Sequence, residues 1–398
     1  MLIRSLAIAV IQGTGTLMTF FLMFLVLNQY GLNLQGKYSY LRSWVDLMVV
    51  LFCLGLPQSI IYSINKYKIN SGVLKIKIFL FMPFVFLFVC LLSKFMYKGG
   101  ADNIDLVLIA LSCTFMVGFN LFKSISLTTL SSMRYSLLVI IPSISFMFFY
   151  ILNSAIMKDK INFAYVVFFG SLVSFVFSIF CVKNNNYTVK SGFYVNLFRD
   201  GFFSFIQAVS VVALPFFVYN YLLSMVNLGM REVGVVSVGI YLYFVMNVPL
   251  AMFSPILYNR WTGFGSTKAK QELVKIILFG VVVYFFMVFF YFIFNKQIFD
   301  YFDILGSDQF IYSIFYFGSI SVFFNNILSC YNLSRGLFKL NFLIYFIKFL
   351  LVAVVLIVGD YIFDVSLIWY FFVPAVIVLI DFFAVLVYSV FSLIRLEN

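Results

Sequence analysis

Twelve apolar stretches, most of them close to 20 residues long, divide this 398-residue chain and leave little for anything else. They run approximately over residues 6–28, 39–61, 78–97, 106–124, 136–153, 163–182, 201–223, 233–257, 276–295, 309–332, 340–359 and 365–391. A bilayer core of roughly 30 Å takes about 20 helical residues to cross, and it holds no water to satisfy an open backbone. The runs are continuous and do not alternate, which excludes barrel strands. The expected fold is therefore an all-α polytopic membrane protein of about 12 transmembrane helices. Only 10% of the residues are charged, against about 25% in a soluble domain. Secreted-enzyme and nucleic-acid-binding readings are excluded on that ground, despite a net charge of +12. The first run, Leu6 to Leu27, precedes many others and reads as an uncleaved first helix.

The net charge has its explanation in the loops. With the N-terminus in the cytoplasm, the cytoplasmic loops and margins hold 17 basic residues, from Arg4 through Lys123 and Arg134 to Arg395, against three acids. The outer loops and their margins hold 8 basic residues facing nine acids. Basic residues collect on the cytoplasmic side, so an even number of spans with both termini inside is expected. No loop exceeds about 20 residues, and the longest polar one, Lys183 to Asp200, lies mid-chain. It reads as a linker (183–200) between an N-terminal six-helix bundle (1–182) and a C-terminal one (201–398).

The two bundles carry traces of one ancestor. At an offset of 198, Gly36 matches Gly234, Ser39 matches Ser237 and Pro57 matches Pro255. At an offset of 195, Leu2-Ile3-Arg4 matches Leu197-Phe198-Arg199, and Ile11-Gln12 matches Ile206-Gln207. Six spans per half is an even number, so the halves enter the membrane in the same orientation. That is the parallel-repeat arrangement of some transporters.

A charge near the bilayer centre costs roughly 2.5–3.5 kcal/mol on insertion scales and usually faces a partner or a cavity. Arg42, Asp46, Lys348 and Asp381 stand out. Arg42 and Asp46 are four residues apart and share one helix face. They have no counterpart in the second half, where Ile240 and Phe244 take their places. Lys348 and Asp381 lie at a similar depth, roughly 12–15 Å from the inner ends of the last two spans at 1.5 Å per residue. Each pair is either self-neutralising or cavity-lining, and the sequence leaves both open. Gln12 and Gln207 complete the set of cavity candidates; Asn120, Asn247, Asn325 and Asn326 are polar groups at depth that commonly tie helices together. Tyr38, Tyr40, Trp44, Trp261 and Trp369 near span ends read as interface anchors. Prolines 57, 142, 215, 249, 255 and 374 interrupt six spans and permit bending.

The chain has no His, and its five Cys lack paired spacing, so neither a metal site nor a disulfide framework is expected. No P-loop or nucleophile elbow occurs. No enzyme and no cofactor is expected, and any work must come from gradients or from one-sided supply of substrate.

The order of these features resembles a known family. A short basic N-terminus and first span precede Gly36-Lys37-Tyr38-Ser39, which opens the second span; Gly55-Leu56-Pro57-Gln58-Ser59-Ile60 closes it; Glu232-Val233-Gly234-Val235-Val236-Ser237 opens the eighth. This is similar to the Wzx-type O-antigen and polysaccharide flippases of the multidrug/oligosaccharidyl-lipid/polysaccharide (MOP) exporter superfamily. The resemblance implies two six-helix bundles around a central cavity flanked by helices one, two, seven and eight, in the bacterial inner membrane. It implies an undecaprenyl-diphosphate-linked oligosaccharide as substrate, moved from inner to outer leaflet by alternating access. The partners would be that substrate, membrane lipids and other polysaccharide-assembly proteins, with no nucleic acid. A diphosphate calls for Arg or Lys in a low-dielectric cavity, and on this reading Arg42 and Lys348 are the first residues to consider. A cation-coupled multidrug exporter of the same superfamily would use Asp46 and Asp381 instead. A polytopic O-antigen polymerase or ligase is expected to carry a sizeable outer loop with Arg and His, which this chain lacks.

Overall fold

The structure is a computed structural model. It describes residues 2–57, 70–100, 102–130, 132–157, 161–182, 193–246, 265–301, 306–335 and 337–394, with residues 60, 64, 257 and 261. Eleven helices account for nearly all of these: α1 (Leu2–Cys53), α2 (Ser71–Met96), α3 (Asn103–Thr129), α4 (Ser132–Met157), α5 (Phe163–Cys181), α6 (Phe193–Ser224), α7 (Met230–Tyr243), α8 (Ser266–Tyr301), α9 (Gly306–Ser334), α10 (Phe338–Ile362) and α11 (Val365–Ile394). Nine are long and apolar enough to cross a membrane. Helix α1 consists of two legs, 2–30 and 32–53, so twelve helical segments stand where the hydropathy places twelve spans.

The join between those legs is sharper than expected. In place of a polar loop at 29–38, the chain stays helical except at Gly31, whose φ of 74° and ψ of −178° turn the corner in one residue. That conformation is essentially confined to glycine. The polar residues around it do not break the helix, because they bond within it: Gln35 Nε2 donates to Ser39 Oγ at 3.0 Å.

Two compact units emerge. The first comprises Met1–Leu22 with Tyr40–Phe216, and the second Met23–Ser39 with Phe217–Asn398. In the first, α3 packs against α2, α4 and α5. Its interior is aromatic: Phe175 stacks on Phe115 with centroids 5.4 Å apart and meets Phe122 at 5.9 Å. Trp44 is fully buried, donating Nε1 to Ser93 Oγ at 3.0 Å and lying 5.1 Å from the Phe216 ring. Tyr40 and Trp261 are also fully buried. Placement near a span end therefore made core residues of these three, not interface anchors, because the faces they occupy turn toward other helices.

In the second unit, α9 packs against α7, α8, α10 and α11. Helix α8 turns an apolar surface outward, with Phe279, Phe285, Phe286 and Phe289 each more than 60% exposed. Water would not tolerate so large a contiguous apolar surface, whereas lipid does. This is a multi-pass membrane protein.

Helix α7 and the second leg of α1 start side by side in this unit. A Cβ on Gly36 would overlap the carbonyl oxygen of Met230 and stand 2.8 Å from Gly234 N. A Cβ on Gly234 would overlap the carbonyl oxygen of Leu32 and stand 3.1 Å from Gly36 N. Backbones come this close only where side chains are absent, the rule for glycine at membrane helix crossings. Helix α7 then ends at Tyr243, short of the expected 233–257. Phe244 N bonds to the carbonyls of both Ile240 and Tyr241 at 3.1 Å, and Val245 N to that of Leu242 at 3.2 Å, a tightened last turn. Pro249 lies four residues beyond Val245 and has no N–H to continue the ladder. Pro255 and Asn247 lie outside the described residues.

Candidate functional site

Each unit holds an ion pair inside its apolar helices. In the first unit, Arg42 Nε donates to Asp46 Oδ2 at 3.1 Å along the second leg of α1. The guanidinium lies over the Phe146 ring of α4, 4.6 Å from its centroid. One turn back on α4, the Ser143 hydroxyl shares a 3.2 Å hydrogen bond with Thr19 Oγ1 of the first leg of α1. Both legs of α1 and the middle of α4 thus converge on one polar spot. The pair is not sealed: the Arg42 side chain is 22% exposed and that of Asp46 41%.

The second centre is closed. Asp381 of α11 is 1% exposed and forms an ion pair with Lys348 of α10 through Oδ1. Tyr243, the last residue of α7, donates its hydroxyl to Asp381 Oδ2. The Tyr243 and Ser321 hydroxyls are 2.8 Å apart. Asn325 of α9 donates Nδ2 to Asp381 Oδ1 at 3.1 Å and to its backbone oxygen at 3.0 Å. Four helices therefore meet at one carboxylate. Burying a charge is costly without such compensation, and here nearly every lone-pair direction of Asp381 is used. The Asn325 side-chain oxygen is buried without a partner among the described residues.

The sequence-derived candidates thus divide. Arg42 with Asp46, and Lys348 with Asp381, are brought together as pairs. The side chains of Gln12 and Gln207 lie outside the described residues. Tyr243 and Ser321 carry no signal in the sequence. Asn325 shows only as one polar group among several.

One residue stands differently from its count. Lys123, counted with the cytoplasmic basic residues at the inner margin of the span 106–124, lies inside α3, six residues before its end at Thr129. The helix continues past the apolar run because its polar residues satisfy themselves on its own backbone. Asn120 Nδ2 donates to Met116 O at 2.9 Å, Ser124 Oγ to Asn120 O at 2.8 Å, and Thr128 Oγ1 to Ile125 O at 2.7 Å. The ammonium of Lys123 lies over the Phe119 ring, 5.3 Å from its centroid, with no carboxylate bonded to it among the described residues.

Among the described residues no group of three or more Cys, Asp or Glu is placed to hold a metal. Beyond the clusters, a clasp joins α7 to α9, where Arg231 Nη2 meets the buried Asp308 Oδ2 at 2.6 Å.

No protein-family model matches the chain. No curated protein matches it in sequence. Solved structures do match over its full length. A multidrug resistance MATE family transporter of the MOP superfamily superposes in its outward-facing conformation with a TM-score of 0.71 at 14% identity, covering 99% of this chain and 95% of that one. A multidrug resistance MATE family transporter of the MOP superfamily in the inward-facing conformation gives 0.70 at 11%, covering 99% and 94%. A MOP superfamily transporter from Pyrococcus furiosus, described as having a binding pocket of reverse polarity, gives 0.70 at 14%, covering 99% and 95%. At such identities the likeness speaks for the fold, and the fold of this chain is that of the MATE transporters of the MOP superfamily.

Proposed function

We propose that this protein is an alternating-access flippase that carries an undecaprenyl-diphosphate-linked oligosaccharide from the inner to the outer leaflet of the bacterial inner membrane. One observation carries the choice of an anionic substrate. The two carboxylates in the middle of the described apolar helices, Asp46 and Asp381, are both bonded to a cation of the same unit. A cationic drug would find its anionic partners already occupied. The likeness to one transporter fold in both outward-facing and inward-facing conformations supports alternating access. The Pyrococcus transporter, with its pocket of reverse polarity, is consistent with this fold serving substrates of more than one charge. The inner-membrane location and cytoplasmic termini rest on the loop charges.

A second reading is a cation-coupled multidrug exporter. The half-exposed Asp46 carboxylate favours it, as does the multidrug resistance transporter that shares the fold. Deletion of the gene in its host separates the two. Loss of surface polysaccharide, with lipid-linked repeat units accumulating on the inner leaflet, is the outcome expected of a flippase. Normal polysaccharide with altered drug sensitivity would establish the exporter instead.

A further inference from the structure

We infer that Lys123, with Asn120 one turn above it on α3, is an anion-binding position that receives the diphosphate head of the lipid-linked substrate; this deepens the flippase reading and rests on it. The sequence points first to Arg42 and Lys348, yet each is bonded to a carboxylate. Lys123 is a cation inside an apolar helix, over the Phe119 ring, with no carboxylate bonded to it among the described residues.

Among the described residues, the groups that lie against it are uncharged. Phe119 and Phe122 on the same helix are 2% and 0% exposed. Cys53, at the end of the second leg of α1, is buried. Asn120 and Lys123 keep part of their surface accessible, while residues 116–119, 121, 122 and 124–126 are buried. An ammonium within an apolar span faces water or a partner in preference to hydrocarbon, so this strip marks a surface that a polar head can reach. The chemistry suits a phosphate. A lysine offers three donors around a point charge. Asn120 uses one proton of its amide on Met116 O and has a second to offer.

The end of the second leg of α1 is strained. The second leg of α1 stops at Cys53, and Leu54 and Gly55 follow with φ of 50° and 69°. A leucine in that region is uncommon and costs free energy, and such residues gather where a chain binds or moves.

The purified full chain, titrated with farnesyl diphosphate, tests the assignment. The wild type is expected to bind saturably, and Lys123→Gln to bind about ten- to a hundredfold more weakly, the range for losing one charged hydrogen bond. Lys123→Arg should restore most of the affinity. Phosphatidylglycerol and inorganic pyrophosphate serve as the other arms. Equal competition by phosphatidylglycerol would make the position a general lipid-headgroup contact and overturn its assignment to substrate. Undiminished binding by Lys123→Gln would overturn the position itself. Lys123→Met retains the stem's packing, and the unliganded melting temperature of each variant registers any purely structural role. A loss of melting temperature with unchanged affinity also contradicts the proposal. Reconstituted vesicles keep the two levels apart. A wild type that moves no lipid-linked oligosaccharide refutes the flippase reading, whereas a wild type and a Lys123→Gln variant that move it equally refute Lys123 alone.

Discussion

Gly36 and Gly234 touch backbone to backbone, and each points at the residue four positions before the other: Gly36 at Met230, Gly234 at Leu32. The sequence repeat at an offset of 198 pairs Gly36 with Gly234 and Leu32 with Met230. The contact therefore maps onto itself under the repeat, as an isologous contact does about a two-fold axis. Two helices that match in sequence also meet in space. Alanine at either position must push the helices apart, since the atoms in the way are backbone. Gly36→Ala and Gly234→Ala are each expected to lower stability by about 1–3 kcal/mol, the range for overpacking, and by similar amounts. Thermal melts of the purified protein in detergent measure this, and a silent variant at either position would contradict the crossing.

Gly31 makes a different demand. Its φ of 74° and ψ of −178° admit no Cβ without strain, though no atom lies within 4 Å of the missing side chain. Gly31→Ala should cost about 1–3 kcal/mol through the backbone alone. The same melt reads it, and an unchanged midpoint would show that the corner can relax.

Lys348 and Asp381 form the most buried charge pair described. Removing one partner leaves the other unpaired, at a cost of about 3–5 kcal/mol. Lys348→Met and Asp381→Leu should each reduce folded yield and melting temperature. The double variant should recover part of the loss but not all, because the Tyr243 hydroxyl and the Asn325 amide would still lack their acceptor, at about 1–3 kcal/mol each. A double variant that regains stability without regaining transport would mark the pair as part of the transport cycle.

Arg42 contrasts with that pair. Its partner Asp46 is 41% exposed at the side chain, and ion pairs with such access contribute about 0–1 kcal/mol. Arg42→Ala should therefore change stability little, within about 1 kcal/mol once the contact with the Phe146 ring is included. An effect on transport, larger for Arg42→Ala than for Arg42→Lys, is expected if the residue lines the substrate path. Vesicle transport beside a melting curve separates these, and a large loss of stability would make Arg42 structural.

How far the sequence discloses this protein depends on which residues are asked about. The all-helical membrane fold follows from the length of apolar runs, because bilayer thickness fixes that length. The Arg42–Asp46 pair follows from helical spacing, and the meeting of Lys348 with Asp381 from shared depth. Tyr243 and Ser321 could not be placed at Asp381, because their arrival depends on how α7 and α9 cross α11. Trp44 and Trp261 show why aromatic position misleads: distance from a span end says nothing about which face of the helix is covered. Lys123 is passed over because a basic residue at the margin of a span reads as a loop charge, whereas the helix continues six residues beyond it to Thr129. The substrate is still less legible, since it rests on a few charges whose partners only the fold supplies.

The central claim is that an anionic lipid-linked oligosaccharide crosses the membrane through this protein. Proteoliposomes made with the purified chain and a fluorescently labelled isoprenyl-diphosphate oligosaccharide test it most directly, with a membrane-impermeant quencher added outside. Quenching is expected to proceed well beyond the half of the label exposed in protein-free vesicles, and Lys123→Gln to slow it. Quenching that stops at the protein-free level, while the same vesicles take up a cationic dye against a proton or sodium gradient, would contradict it.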